Sequence, residues 1–134
     1  GTPAPQGSKT VYSRGRIVES SKAVAPWREA VRAETQRRMI ELAMEPFDGP
    51  VALWLRFTFT RPKGHYGRRG LLPSAPDHPA VKPDLDKLAR STLDGLADGG
   101  LYTNDSRVVS ISAVKVYDDI AGVVINARAA GWVL

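Results

Sequence analysis

The chain has 134 residues, 43% hydrophobic and 25% charged, which is the size and composition of one globular domain without room for a second independent core. It contains no cysteine and only two histidines, His65 and His78, which excludes disulfides and thiolate zinc and leaves hard cations on carboxylates as the open metal chemistry. The formal charge of +5 favours a polyanionic partner, while no apolar stretch approaches the roughly 20 residues that cross a bilayer, so no membrane partner is expected.

After the Pro- and Gly-rich start GTPAPQGSK, Thr10 to Ser13 and Arg16 to Glu19 read as a small hairpin joined at Arg14-Gly15. Ser20 or Ser21 offers an N-cap for a helix from about Pro26 to Glu45. Trp27, Val31, Met39 and Leu42 recur on one side of it and are expected in the core. Asp48-Gly49-Pro50 breaks the helix, and VALWLRFTFT (51–60) then alternates strictly. Val51, Leu53, Leu55, Phe57 and Phe59 line one face, and the face carrying Trp54 is left for a helix, solvent or a second subunit.

Residues 61–83, RPKGHYGRRGLLPSAPDHPAVKP, form a connection well beyond the usual loop length. Arg61, Lys63, Arg68 and Arg69 around Tyr66 give it the pattern of a flexible nucleic-acid-binding arm. DLDKLARSTLDGLA (84–97) has Leu85, Leu88, Ala89, Leu93 and Leu96 at helical spacing, a stripe that packs on a sheet. Asp98-Gly99-Gly100 ends that helix, and Arg107 to Tyr117 and Gly122 to Arg128 read as a β-hairpin joined at Asp118-Asp119. The expected architecture is a single small α/β domain over 1–134, a mixed β-sheet packed by two main helices.

Residues 1–83 hold fourteen basic and seven acidic side chains, and residues 84–134 five basic and seven acidic, the acids of the second part all Asp. A polyanion therefore suits the first part and a cation the second. Asp84 falls at the N-cap of the second helix and Asp86 in its first turn, where exposed N–H groups favour anions. An acidic first turn is also ordinary at a helix start, and Asp86, Arg90 and Asp94 are spaced for an i,i+4 ladder of ion pairs. Asp105, before the next strand, joins the first two carboxylates if that strand lies beside the helix start. Three such acids repel unless a divalent cation sits among them, and Mg²⁺ would leave coordination positions for water and phosphate. On a basic protein that arrangement points to phosphodiester hydrolysis, with Arg90 placed to hold phosphate oxygens.

The segment KPDLDKLARSTLDGLADGGLYTNDSRVVSISAVKVY resembles the signature of the RusA family of Holliday junction resolvases. That pattern is Asp-x-Asp-Asn-Leu, Lys four residues after the second Asp, a further Asp on the helix, then Asp-Asp before a Val-rich strand. GTPAPQGSK and GRIVESSKAVAPWREAV are similar to the version in phages and prophages of high-GC bacteria. The resemblance implies a RusA-like α/β homodimer that binds four-way DNA junctions and nicks strands of like polarity with Mg²⁺, for which Mn²⁺ can substitute. It also implies a phage or prophage protein working in the host cytoplasm. Carried over, the metal-binding aspartates are Asp84, Asp86 and Asp105, and Arg90 takes the place of the active-site lysine. Lys87 stands where Asn is common and Asn104 where the first acid of the Asp-Asp pair stands. Because Arg90 does not release a proton, its expected role is electrostatic.

The expected DNA contacts are Lys9, Arg14, Arg16, Lys22, Arg61, Lys63, Arg68, Arg69, Lys82 and Lys87. The alternative is a branched-DNA-binding protein on the same fold, weakened or inactivated by Arg90 and Asn104. The family's usual strand before GTPAPQGS has no counterpart here, so a trimmed version of a longer protein is expected.

Overall fold

In the computed structural model the described backbone covers residues 9–14 and 24–130, with side chains from residue 27 onward. A four-stranded sheet has the order β1 (Lys9–Arg14), β6 (Gly122–Ala129), β2 (Val51–Phe59), β5 (Val108–Tyr117). Two helices, α1 (Val24–Glu41) and α2 (Leu85–Asp98), complete the core, and a short ribbon of β3 (Tyr66–Gly67) and β4 (Gly70–Leu71) stands in the long connection.

The alternation of β2 is realised fully. Val51, Leu53, Leu55, Phe57 and Phe59 are all buried among residues of both helices, and burial of each large side chain contributes about 1.5–3 kcal/mol. Ala52 and Thr58, on the other face, are buried as well, a pattern that suits a central strand better than an edge. That centrality overturns the expected C-terminal hairpin. β5 pairs parallel with β2 and β6 pairs antiparallel with β2, so the two strands flank it and do not pair with each other. Their connection crosses the end of β2 and is tied there, where the Asp118 N–H donates to Phe59 O at 2.9 Å and Thr58 Oγ1 to Ile120 O at 2.7 Å. β2, α2 and β5 therefore form a βαβ crossover, which needs the long intervening segment that parallel pairing always requires.

Of the first expected hairpin, β1 is present and pairs with β6. Arg16 to Glu19, and the N-cap candidates Ser20 and Ser21, lie outside the described residues.

Helix α1 stops at Glu41, short of the expected Glu45. Ala43 takes φ 49°, its N–H donates to Ile40 O, and the Met44 N–H donates to Met39 O. This is a Schellman closure, built on alanine where glycine is usual. It corrects the expected core list as well, because Leu42 falls past the last helical turn and is 47% exposed, whereas Trp27, Val31 and Met39 are buried.

The helices touch through the narrow side of α2. A Cβ on Gly95 would lie 2.8 Å from both Arg28 O and the Val31 side chain, and one on Gly99 would lie 2.6 Å from Thr35 Cβ. Hydrogen in place of a side chain lets the two backbones approach at these points. Trp27 Nε1 donates to Thr92 Oγ1 at 3.1 Å within this contact, and Arg28 pairs with Asp98 at 2.8 Å beside it.

Candidate active site

The start of α2 is held through its main chain. Asp84 is the N-cap residue in extended conformation, yet its carboxylate makes no capping hydrogen bond. The Leu88 N–H donates to Asp84 O at 3.1 Å, closing the first turn. Just upstream, the Lys115 ammonium on β5 donates to Val81 O and, at 2.8 Å, to Pro83 O. Lys115 stands opposite Phe57 in the register, on the helix side of the sheet, 5.7 Å from the Phe59 ring centroid.

Asp84 and Asp86 are both exposed. The Lys87 ammonium lies 3.9 Å from Asp84, so this expected DNA contact faces a carboxylate of its own helix. Asp86 and Arg90 have no ion pair or side-chain hydrogen bond among the described residues. The expected Asp86–Arg90–Asp94 ladder does not form among the described residues; at its far end Arg28 of α1 takes Asp94 at 3.7 Å and Asp98 at 2.8 Å. Two anions stand at a helix start, where unpaired N–H groups and the helix dipole stabilise negative charge, with the Arg90 guanidinium, unpaired among the described residues, one turn further on.

Asp105 opens a 3₁₀ turn, Asp105–Arg107, which Asn104 caps by accepting the Ser106 N–H at 2.8 Å. Asn104 Oδ1 is thus engaged in shaping the turn that carries Asp105. Asp105 acts electrostatically on Arg28 and Tyr102 together with Asp94 and Asp98, which sets it toward the C-terminal half of α2. About 20 Å of helix runs between the two ends of α2, and Lys115 marks the level of Asp84 near the far end of β5. Within one chain, Asp84 and Asp86 are therefore together and Asp105 is apart. Among the described residues no three His, Asp or Glu side chains cluster to hold one cation.

Tyr102 is buried, with its hydroxyl donating to Leu93 O at 2.7 Å. Burial, then the negative charges of Asp105, Asp94 and Asp98, push its pKa up.

The basic residues divide into three groups. Arg68 and Arg69 are exposed at the tip of the β3–β4 ribbon, where Gly70 takes φ 105°, and Lys63 and Lys82 are exposed as well. Arg61, expected in the same arm, is instead held inside it. It donates to Pro76 O at 2.7 Å, meets His65 Nδ1 at 3.3 Å and lies 4.3 Å from the centroid of the Tyr117 ring. Lys9 and Arg14 lie on β1, but their side chains, and the whole of Arg16 and Lys22, are outside what is described.

Sequence reasoning missed Arg28 and Lys115. Arg28 was hidden in a helix rich in Arg, whereas Lys115 had a signal, being the one charged residue in the strand VVSISAVKVY.

The described residues form a small α/β domain with a mixed sheet, two helices on its core and two exposed carboxylates, Asp84 and Asp86, at a helix start. The family model described as Endodeoxyribonuclease RusA matches residues 1–128, and the chain belongs to that family. It is therefore related to Holliday junction resolvases, as the signature segment implied. Comparison with curated proteins gave no match, and among the described residues no helix is long and apolar enough to cross a membrane.

Proposed function

We propose that this protein is a divalent-cation-dependent, structure-selective endodeoxyribonuclease that resolves four-way DNA junctions as a homodimer. The observation that carries the reading is the exposed pair Asp84 and Asp86 at the start of α2, in a chain of this family, with the Asp84 carboxylate left out of helix capping. A nuclease of this family generally depends on a divalent metal. Asp84 and Asp86 would hold such an ion, and Mg²⁺, or Mn²⁺ in its place, supplies Lewis acidity toward the phosphate and a water of lowered pKa. Arg90, an always-charged guanidinium without a described partner, holds phosphate oxygens and stabilises charge on them. Arg68, Arg69, Lys63 and Lys82 contact the DNA backbone.

One chain offers two of the three aspartates at one place, and this is the structural reason to invoke a second copy. Among the described strands β5 is an edge, with Val109 62% and Ile111 45% exposed. If two β5 edges paired antiparallel about a two-fold axis, the β5 start of one copy, preceded by Asp105, would lie beside the β5 end of the other, where Lys115 and the entry to Asp84 stand. Each site would then take Asp84 and Asp86 from one copy and Asp105 from its partner. As a phage or prophage protein it would work in the cytoplasm of a bacterial host.

The test is a labelled four-way junction incubated with the protein, with and without Mg²⁺, on a denaturing gel. Symmetric, Mg²⁺-dependent nicks are expected. Tight junction binding without nicks would favour the second reading, a branched-DNA-binding protein, which the separation of Asp105 from the aspartate pair within one chain also supports.

A further inference from the structure

We propose that Lys115 is a positioning residue of the Asp84–Asp86 site, which fixes the start of α2 through the main chain so that the Asp84 carboxylate, which makes no capping bond and stands 3.9 Å from the exposed Lys87 ammonium, is available to a cation. The inference rests on the nuclease reading above and deepens it. Helix starts ordinarily need a side chain to satisfy their exposed N–H groups and set the entry angle, and aspartate at the N-cap is among the best residues for it. Here Asp84 occupies the N-cap with the right backbone conformation and leaves that bond unmade. Something else must hold the chain as it enters the helix.

Lys115 does so from the neighbouring strand. Its ammonium bridges two carbonyls of the entry segment, Val81 O and Pro83 O, the second belonging to the residue directly before Asp84. Hydrogen bonds from a charged donor are roughly twice as strong as neutral ones. Among the described residues the ammonium pairs with no carboxylate. A half-buried lysine that holds main-chain oxygens and lies near a ring, Phe59 at 5.7 Å, is held by fixed, short-range contacts and does not draw the Asp84 charge onto itself. It leaves the Asp84 and Asp86 carboxylates exposed, with Lys87 of the same helix 3.9 Å from the first. The division of labour is specific: β5 supplies the clamp, and α2 supplies the ligands.

Three variants test this: Lys115→Met, which removes the donors at similar length; Lys115→Arg, which keeps them; and Lys115→Gln, which keeps a neutral donor and takes the place of the Met variant if that chain does not fold. Amide hydrogen exchange at Leu88 is expected to quicken at least tenfold in the Met variant, with Leu96 unchanged. Mn²⁺ half-saturation, read by titration calorimetry without DNA, is expected to weaken at least fivefold. On the junction, kcat is expected to fall at least tenfold while metal-free junction affinity stays within twofold, and the Arg variant is expected to recover most of both losses. A wild-type protein that cuts no junction overturns the nuclease reading, and this proposal with it. A wild type that cuts, beside a Met or Gln variant with equal kcat and unchanged Leu88 exchange, overturns this proposal alone. Loss of junction binding in parallel with cutting also overturns it, because a merely structural lysine behaves so.

Discussion

Trp27 of α1 donates its indole N–H to the hydroxyl of Thr92 on α2, 65 residues later in the chain, and both residues are buried. The bond fixes the register of the two helices at a place where neither group has access to water. Thr92→Val keeps the shape and removes the acceptor, leaving a buried donor unsatisfied at a cost of about 1–3 kcal/mol. Urea denaturation measures it, and a midpoint equal to wild type would show that the indole finds another acceptor.

Gly95→Ala should destabilise the protein by about 1–3 kcal/mol, the range for overpacking a close contact. The added methyl would meet Arg28 O, which is backbone and does not swing away. Ordinarily Gly to Ala inside a helix is favourable by up to about 1 kcal/mol, so the sign of the change in thermal midpoint decides whether the close approach governs.

Stability should fall with rising pH above the ordinary tyrosine pKa of 10. The folded chain keeps the Tyr102 proton, because its pKa is raised by burial and nearby aspartates, whereas the unfolded chain releases it. A raised folded-state pKa contributes stability that is complete below the unfolded value and is lost as pH climbs toward the folded one. Tyr102→Phe should flatten the slope between pH 9 and 11 in urea melts, while lowering stability at pH 7 by about 1 kcal/mol through the lost bond to Leu93 O.

Asp86→Asn and Asp105→Asn should each abolish junction cutting while leaving the fold intact. Co-refolded in equal amounts, the two variants should recover about a quarter of wild-type activity if the protein is the proposed homodimer with shared sites, since half the dimers would be mixed and each would carry one intact site of two. If every site is built within a single chain, the mixture stays dead.

Replacing Arg68 and Arg69 with Ala should weaken junction binding and make its salt dependence shallower by about 0.9 in log–log slope per lost duplex phosphate contact. Arg61→Ala should act differently, by loosening the loop it braces against Tyr117. An unchanged slope in the double variant would remove the ribbon tip from the DNA surface.

Periodicity carried the parts of the fold that depend on local burial. β2 and α2 were legible because Val51 to Phe59 alternate and Leu85 to Leu96 repeat at helical spacing. The pairing of β5 with β2 instead of β6 was not, because the choice rests on which strand is central, and Ala52 and Thr58 look semi-polar until both are seen buried. The end of α1 was misjudged because its stop is a conformation of Ala43, a residue that favours helix, and not a Gly or Pro that advertises one. At the site, the adjacency of Asp84 and Asp86 follows from sequence spacing. The distance to Asp105 does not, because it depends on α2 running back along the sheet to deliver the chain to the start of β5.

The position of β6 between β1 and β2 also has a consequence for biosynthesis. A chain emerging from the ribosome presents β1, α1, β2, α2 and β5 in turn, yet β1 has no described sheet partner until residues 122–129 are made. The central strand β2 likewise keeps one edge unpaired over that whole interval. Vectorial synthesis can form the βαβ unit early, but the sheet closes only when a late segment slides between two early ones. Nascent chains stalled after Tyr117 should therefore remain sensitive to protease at Lys9 to Arg14, and resistance should appear only once Ala129 has cleared the exit tunnel.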